Sequence, residues 1–119
     1  MARVPSRKDE TMSYYTPDTW VVIFMNSDDP HYRVLGGWSG GYLSGDSWRF
    51  NSGITKVIEE DDRFLFIGTS GSTYACHKDM YGLRMSTAGI WNQLQEKFGD
   101  KVQMMDEGTN WLEMDWIVK

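Results

Sequence analysis

The sequence places a cysteine beside a histidine, the two residue types that form a nucleophile and its general base. Cys76 and His77 lie in a run, Ser72 to Lys78, that is typical of a β-strand. Since neighbouring side chains of a strand point to opposite faces, these two cannot form a catalytic dyad with each other. Cys76 would need His31 from another strand, and a lone cysteine among apolar residues is usually a small buried hydrophobe. A cysteine-dependent enzyme is therefore the least favoured function.

The other polar motifs do not indicate a metal or phosphate site. His31 and His77 are the only histidines, and neither has a recognised metal-ligand spacing. The acidic run from Glu59 to Asp62 lacks the glycine and ligand periodicity of an EF-hand loop. The stretch from Gly68 to Ser72 could form an anion nest, but no Gly-Lys-Ser/Thr follows it, so a glycine hairpin turn is favoured. We predict no metal and no cofactor.

A glycine- and aromatic-rich stretch from Gly36 to Gly53 is the best candidate for binding. Its six glycines in eighteen residues cost folding entropy and indicate turns or close approach of other groups. Aromatic faces combined with hydrogen-bond donors are the usual makeup of a small-molecule or peptide pocket. Together with the glycine turn that ends at Tyr74, it supplies our candidate ligand-binding residues: Trp38, Tyr42, Trp48, Arg49, Asn51, Ser70, Ser72 and Tyr74. The alternative is that Trp48 and Phe50 are core residues and the glycines only connect strands.

The composition of the chain limits which classes of protein and partner are possible. A chain of 119 residues is expected to form a single core, and its net charge of −5 argues against nucleic acid or an anionic membrane as a partner. No apolar run is long enough to span a membrane, and the basic start lacks the apolar region of a signal peptide. One cysteine excludes an internal disulfide. We therefore expect a cytoplasmic protein whose partner is a small ligand or another protein.

Hydrophobic periodicity predicts mostly strands and one helix. Residues 19–25 are apolar on both faces, as expected of a central strand covered on both sides. Residues 86–98 carry an apolar stripe at helical spacing, with Ser86 as the N-cap and Gly99 just past the end. The other predicted strands are 31–35, 47–51, 54–60, 63–68, 72–78, 101–105 and 111–118.

These elements predict an α+β fold. We expect a twisted antiparallel sheet in which the four segments from 47 to 78 form a meander. Whether the sheet curls into a partial barrel is left undecided. The one helix, from the C-terminal half of the chain, is expected to pack on a face of the sheet. Residues 1–18 are charged and interrupted by two prolines, which is typical of an N-terminal arm. Residues 19–119 are expected to form the single domain.

The run from Trp48 to Ile54, the turn from Gly68 to Tyr74 and the pair Tyr81-Gly82 resemble small uncharacterised proteins of tailed bacteriophages. The resemblance extends over about residues 19–98. It implies a virus-encoded accessory protein in the host cytoplasm and transfers no functional residue.

The leading function is a non-enzymatic binding module that holds a small ligand or protein segment at the glycine and aromatic surface. The alternative is an acidic interaction protein that engages a basic host factor through its carboxylates. A stacking pocket should be nearly insensitive to salt, whereas binding through carboxylates should weaken steeply with it.

Overall fold

The computed structural model describes residues 14–38, 47–83, 85–114 and 116. Within them, strands form two four-stranded sheets and one α-helix is present. The α+β class is therefore confirmed.

The first sheet is entirely antiparallel. Its strands are β2 (Thr19–Met25), β3 (His31–Trp38), β4 (Ser47–Phe50) and β8 (Val102–Met104), in the order β4-β3-β2-β8. The predicted central strand is confirmed, because β2 pairs on both sides and Trp20 to Ile23 are almost fully buried. β4 lies at the edge and pairs with β3 through the register Gly36↔Arg49 and Gly37↔Trp48.

The second sheet contains β5 (Ile54–Glu60), β6 (Arg63–Gly68) and β7 (Thr73–His77), joined as an antiparallel meander. A short strand, β1 (Tyr14–Tyr15), pairs in parallel with β7 and completes the order β1-β7-β6-β5. The turn between β5 and β6 has two residues, and Asp61 adopts a positive φ of 48° there. Asp tolerates this conformation better than most side chains, which suits a tight hairpin.

The helix α1 (Met85–Phe98) confirms the predicted helix, but it begins at Met85, so Ser86 lies within the helix and is not its N-cap. Gly99 follows it with φ of 62°, the left-handed conformation that commonly ends a helix. Ile90, Trp91 and Leu94 of α1 pack on one face of the first sheet, against a cluster that includes Leu35. The helix therefore covers the first sheet from the side opposite the second sheet.

The main core lies between the two sheets. It joins Trp20 and Val34 of the first sheet to Phe66 and Tyr74 of the second, and it is closed by tryptophans from the C-terminal segment. Burying an aromatic side chain removes a large apolar area from water, so this layer carries much of the hydrophobic stabilisation. The described residues thus form three layers, in the order helix, first sheet and second sheet.

Three features of the predicted architecture are wrong. The described strands form two sheets rather than the single twisted sheet expected, and β4 pairs with β3 rather than joining the meander. The predicted strand over 111–118 is a 3-10 turn at Trp111–Glu113, with Asn110 Oδ1 accepting from the Leu112 backbone N–H. Trp111 and Trp116 are both buried in the aromatic core, which their alternation in an extended strand would not permit.

Residues 14–18, the end of the predicted arm, pack against the sheets. β1 adds to β7, Pro17 is buried, and the Asp18 backbone N–H donates to the Gly37 carbonyl at 2.9 Å. A Cβ at Gly36 would lie 2.9 Å from the Pro17 Cβ, so glycine is required there by close approach of the chain. None of the helical segments that the structure describes is both long and apolar enough to cross a membrane.

Candidate binding surface

An open cleft of about 440 Å³ lies where the edge strands β1 and β4 approach each other. We call it the aromatic cleft, and its lining residues are Tyr14, Tyr15, Thr16, Trp38, Trp48 and Arg49. Three of the predicted site residues, Trp38, Trp48 and Arg49, therefore meet in one place. The antiparallel pairing of β3 with β4 brings them together, because it sets Trp48 opposite Gly37, next to Trp38.

Contacts among the aromatic rings hold this lining in place. The Trp38 indole N–H donates to the Thr16 carbonyl at 3.0 Å, and its ring meets the Tyr15 ring edge-on with centres 6.4 Å apart. Tyr15 packs on Tyr74 at 5.0 Å, while the Arg49 guanidinium lies 4.5 Å from the centre of the Tyr15 ring. Packed rings lose little further side-chain entropy on binding, so the walls are suited to receive a ligand.

Trp48 is one of the exposed aromatic residues that line the cleft. It is 47% exposed, a large fraction for a tryptophan, and it also lines a second concavity of about 200 Å³ on its other side. We call this second concavity the helix groove; it lies between β4 and α1, and its other lining residues are Phe50, Ile90, Gln93, Leu94, Lys97 and Phe98. Trp48 thus separates two adjoining depressions, and its ring can contact a ligand in either.

Three cations lie over aromatic rings that line the two depressions: Arg33 over Phe50 at 5.0 Å, Arg49 over Tyr15 at 4.5 Å and Lys97 over Phe98 at 5.6 Å. None of the three forms an ion pair with a carboxylate of the described residues. Arg49 and Lys97, which line the two depressions, can interact with an incoming anionic group while the ring beneath each is retained.

The acidic hairpin tip at the far edge of the second sheet is different. Three of its four carboxylates contact basic side chains of the same chain: Glu59 with Lys78, Glu60 with Arg63 at 3.2 Å, and Asp62 with His77 at 3.7 Å. The negative field of the hairpin is therefore partly neutralised within the molecule.

The remaining predicted site residues lie elsewhere. Asn51 is buried and holds the backbone of Val34. Its side-chain Oδ1 accepts from the Val34 N–H at 2.8 Å, and its backbone N–H donates to the Val34 carbonyl. Ser70 and Ser72 form a hydroxyl cluster with Ser52 at the surface. They do not line the aromatic cleft.

Tyr74 and Tyr42 are the last two predicted site residues. Tyr74 is buried beneath Tyr15 rather than exposed to a ligand, and burial raises its pKa to about 12. Tyr42 lies outside the described residues, so its prediction is neither placed nor corrected.

Sequence reasoning missed Tyr14 and Tyr15, which it assigned to the N-terminal arm. Tyr14 is 54% exposed at the mouth of the cleft, and Tyr15 forms its inner wall. Adjacent aromatics in an otherwise polar segment were a local signal. Their position, however, depends on parallel pairing with β7, nearly sixty residues away along the chain.

A third concavity, of about 310 Å³, has a mixed polar and apolar lining and lies beside His31 and Arg33. The Arg33 Nε–H donates to His31 Nε2 at 2.9 Å. Because this nitrogen accepts, the other ring nitrogen carries the hydrogen and donates to the Asp29 carbonyl at 2.6 Å. Both nitrogens of His31 are thus engaged with the protein, and no described cluster of His, Cys, Asp or Glu has the makings of a metal site.

Cys76 has the environment of a core residue. Its side chain is fully buried between the sheets, and its Sγ lies 3.7 Å from the Tyr74 carbonyl. Burial raises the pKa of the thiol well above its usual value, which disfavours the nucleophilic thiolate. The described geometry contains no activated cysteine.

Comparison with known proteins adds no relative to this picture: no protein-family model, no curated protein and no solved structure matches the chain. The resemblance to phage proteins therefore stays a prediction.

Proposed function

We propose that the protein is a non-enzymatic binding module whose site is the aromatic cleft. One observation carries the proposal: Trp38, Trp48 and Arg49, separated along two strands, meet at an open depression of which one wall is a half-exposed tryptophan. Surface tryptophans of this kind commonly anchor partners, because they bury a large area at low entropic cost.

The chemistry of the cleft favours binding over catalysis. Among the described residues, its lining contains no histidine, cysteine or carboxylate, the groups that most often transfer protons or attack substrates. Its described lining offers ring faces, one guanidinium and the hydroxyls of two tyrosines and Thr16, which suit recognition of an apolar or planar group beside a negative charge. The acidic alternative has less support, since two of the hairpin carboxylates, Glu59 and Glu60, already pair with Lys78 and Arg63.

Trp48→Ala provides the direct test. The wild-type protein is immobilised and exposed to defined libraries of small molecules and peptides, and the retained compounds are identified by mass spectrometry. We expect the variant to lose the retained compounds while its Tm changes by no more than about 3 °C, because surface truncations cost little stability.

Leu112→Ala is the matched control. Leu112 is also 47% exposed, but it lies in the turn at 111–113, away from the cleft. It should retain the same compounds as the wild type. Equal retention by the wild type and Trp48→Ala would contradict the proposed function.

A further inference from the structure

The free edge of β4 lies between two depressions of different chemistry. β4 pairs with β3 on one side and with no described strand on the other. An edge strand exposes backbone N–H and C=O groups that can pair with an added strand, and proteins use such edges to bind extended peptides. The backbone of β4 is therefore a ready template for an extended partner.

Side chains of β4 alternate between the two faces of the first sheet, and Trp48 borders both depressions. Trp48 and Phe50 contribute to the helix groove, whereas Arg49 points to the opposite face, over the Tyr15 ring. A strand added beside β4 would follow the same alternation. Its residues would alternately meet an apolar groove and a cation lying on an aromatic ring.

The charges around this edge are complementary to an acidic partner. The protein has a net charge of −5, but the described residues that line the two depressions include Arg49 and Lys97 and no carboxylate. Phe98, 38% exposed beneath Lys97, extends the apolar floor of the groove. The apolar floor suits aliphatic side chains better than phosphates, and two cations are few for a nucleic-acid backbone.

We propose that the β4 edge binds an extended protein segment in which apolar and acidic residues alternate, the segment adding as a strand to the first sheet. The apolar side chains enter the helix groove beside Trp48, and the carboxylates contact Arg49. Lys97 attracts the acidic segment from the rim of the groove. This inference rests on the proposed function and names the class of partner for the same surface.

Short synthetic peptides test the proposal with the full-length protein. The first alternates leucine with glutamate, the second alternates leucine with lysine, and the third has the composition of the first in separate leucine and glutamate blocks. We expect the first to bind about tenfold or more tightly than either of the others, since loss of one well-placed anchor is worth that factor. Hydrogen exchange should show protection of the backbone amides of β4 on binding.

Variants locate the binding. Trp48→Ala and Arg49→Gln should each weaken binding of the alternating acidic peptide by about fivefold or more. Lys56→Gln, which removes an exposed cation from β5 at the opposite edge of the second sheet, should leave it unchanged. Raised salt should reduce the preference for glutamate over lysine while a residual, Trp48-dependent affinity persists.

Several outcomes would overturn the inference. Equal binding of the block and alternating peptides would exclude an extended strand, and preference for the lysine peptide would exclude the charge complementarity. Trp48-dependent binding of oligothymidylate in place of the peptides would assign the surface to single-stranded nucleic acid. If no peptide binds but library compounds are retained through Trp48, the inference fails and the proposed function stands; if neither is retained, both fail.

Discussion

The guanidinium of Arg49 lies 4.5 Å from the centre of the Tyr15 ring. Arg49 belongs to β4, the edge of the first sheet, and Tyr15 belongs to β1, the edge of the second. The contact therefore connects the two sheets at the rim of the aromatic cleft. It also keeps an unpaired cation on a ring face, where a partner's carboxylate can reach it.

A double-mutant cycle should measure this contact. Arg49→Gln and Tyr15→Leu are each expected to destabilise the fold, with a coupling free energy of about 0.5–1 kcal/mol, typical of an exposed cation–π pair. Urea unfolding of the wild type, both single variants and the double variant gives the value. Lys56→Gln combined with Tyr15→Leu is the control and should show no coupling. Equally small coupling in the two cycles would contradict the bridging role.

Two glycine substitutions should have opposite effects. Gly36→Ala places a Cβ 2.9 Å from the Pro17 Cβ and 3.0 Å from its Cγ, so we expect a loss of about 1–3 kcal/mol in unfolding free energy. Gly89→Ala lies on the exposed surface of α1 with no atom within 4 Å of the new Cβ. It should gain about 0.5–1 kcal/mol through helix propensity. Denaturant midpoints of the two variants decide the matter, and a neutral Gly36→Ala would mean that Pro17 can move away.

The elements with strong local periodicity could be predicted from the sequence. β2 is apolar on both faces and is covered on both, and α1 has its apolar stripe and ends before Gly99 as expected. The prediction of a strand after Asn110 was wrong for a physical reason. The alternating pattern of this segment fits a strand, but burying both Trp111 and Trp116 in one aromatic cluster stabilises a turn instead.

The site could be predicted only in part. Trp38, Trp48 and Arg49 share one local stretch, and the pairing of β3 with β4 brings them together. Asn51 lies in the same stretch, yet its side chain satisfies the Val34 backbone, which no local pattern indicates. The contribution of Tyr15 depends on β1 pairing with β7, a contact distant in sequence and therefore not encoded by periodicity.

Stability should fall at alkaline pH through the buried tyrosines. The Tyr81 hydroxyl donates to the Met105 carbonyl and accepts from the Val22 N–H at 3.2 Å, and burial raises its pKa to about 12. In the unfolded chain a tyrosine has a pKa of about 10. The neutral phenol thus contributes stability that is complete below about pH 10 and is lost as the pH rises through about 12. Urea midpoints measured across this range should decline.

Tyr81→Phe should separate this effect from general alkaline denaturation. The variant loses two hydrogen bonds, which should cost about 1–3 kcal/mol at neutral pH. It should also show a shallower decline between pH 10 and 12 than the wild type, because one buried phenol no longer ionises. An identical pH slope in the two proteins would mean that Tyr81 ionises alike in the folded and unfolded states.

Cys76 should be protected from alkylation in the folded protein. Its side chain is fully buried between the sheets, and burial raises the pKa of the thiol, so the reactive thiolate forms only when the structure opens. We expect iodoacetamide at neutral pH to modify the native chain about a thousandfold more slowly than the urea-unfolded chain. Mass spectrometry of timed samples gives both rates. Rapid alkylation of the native chain would restore the cysteine-dependent enzyme as a hypothesis; slow alkylation leaves Cys76 as a core residue and Trp48 as the group to test for function.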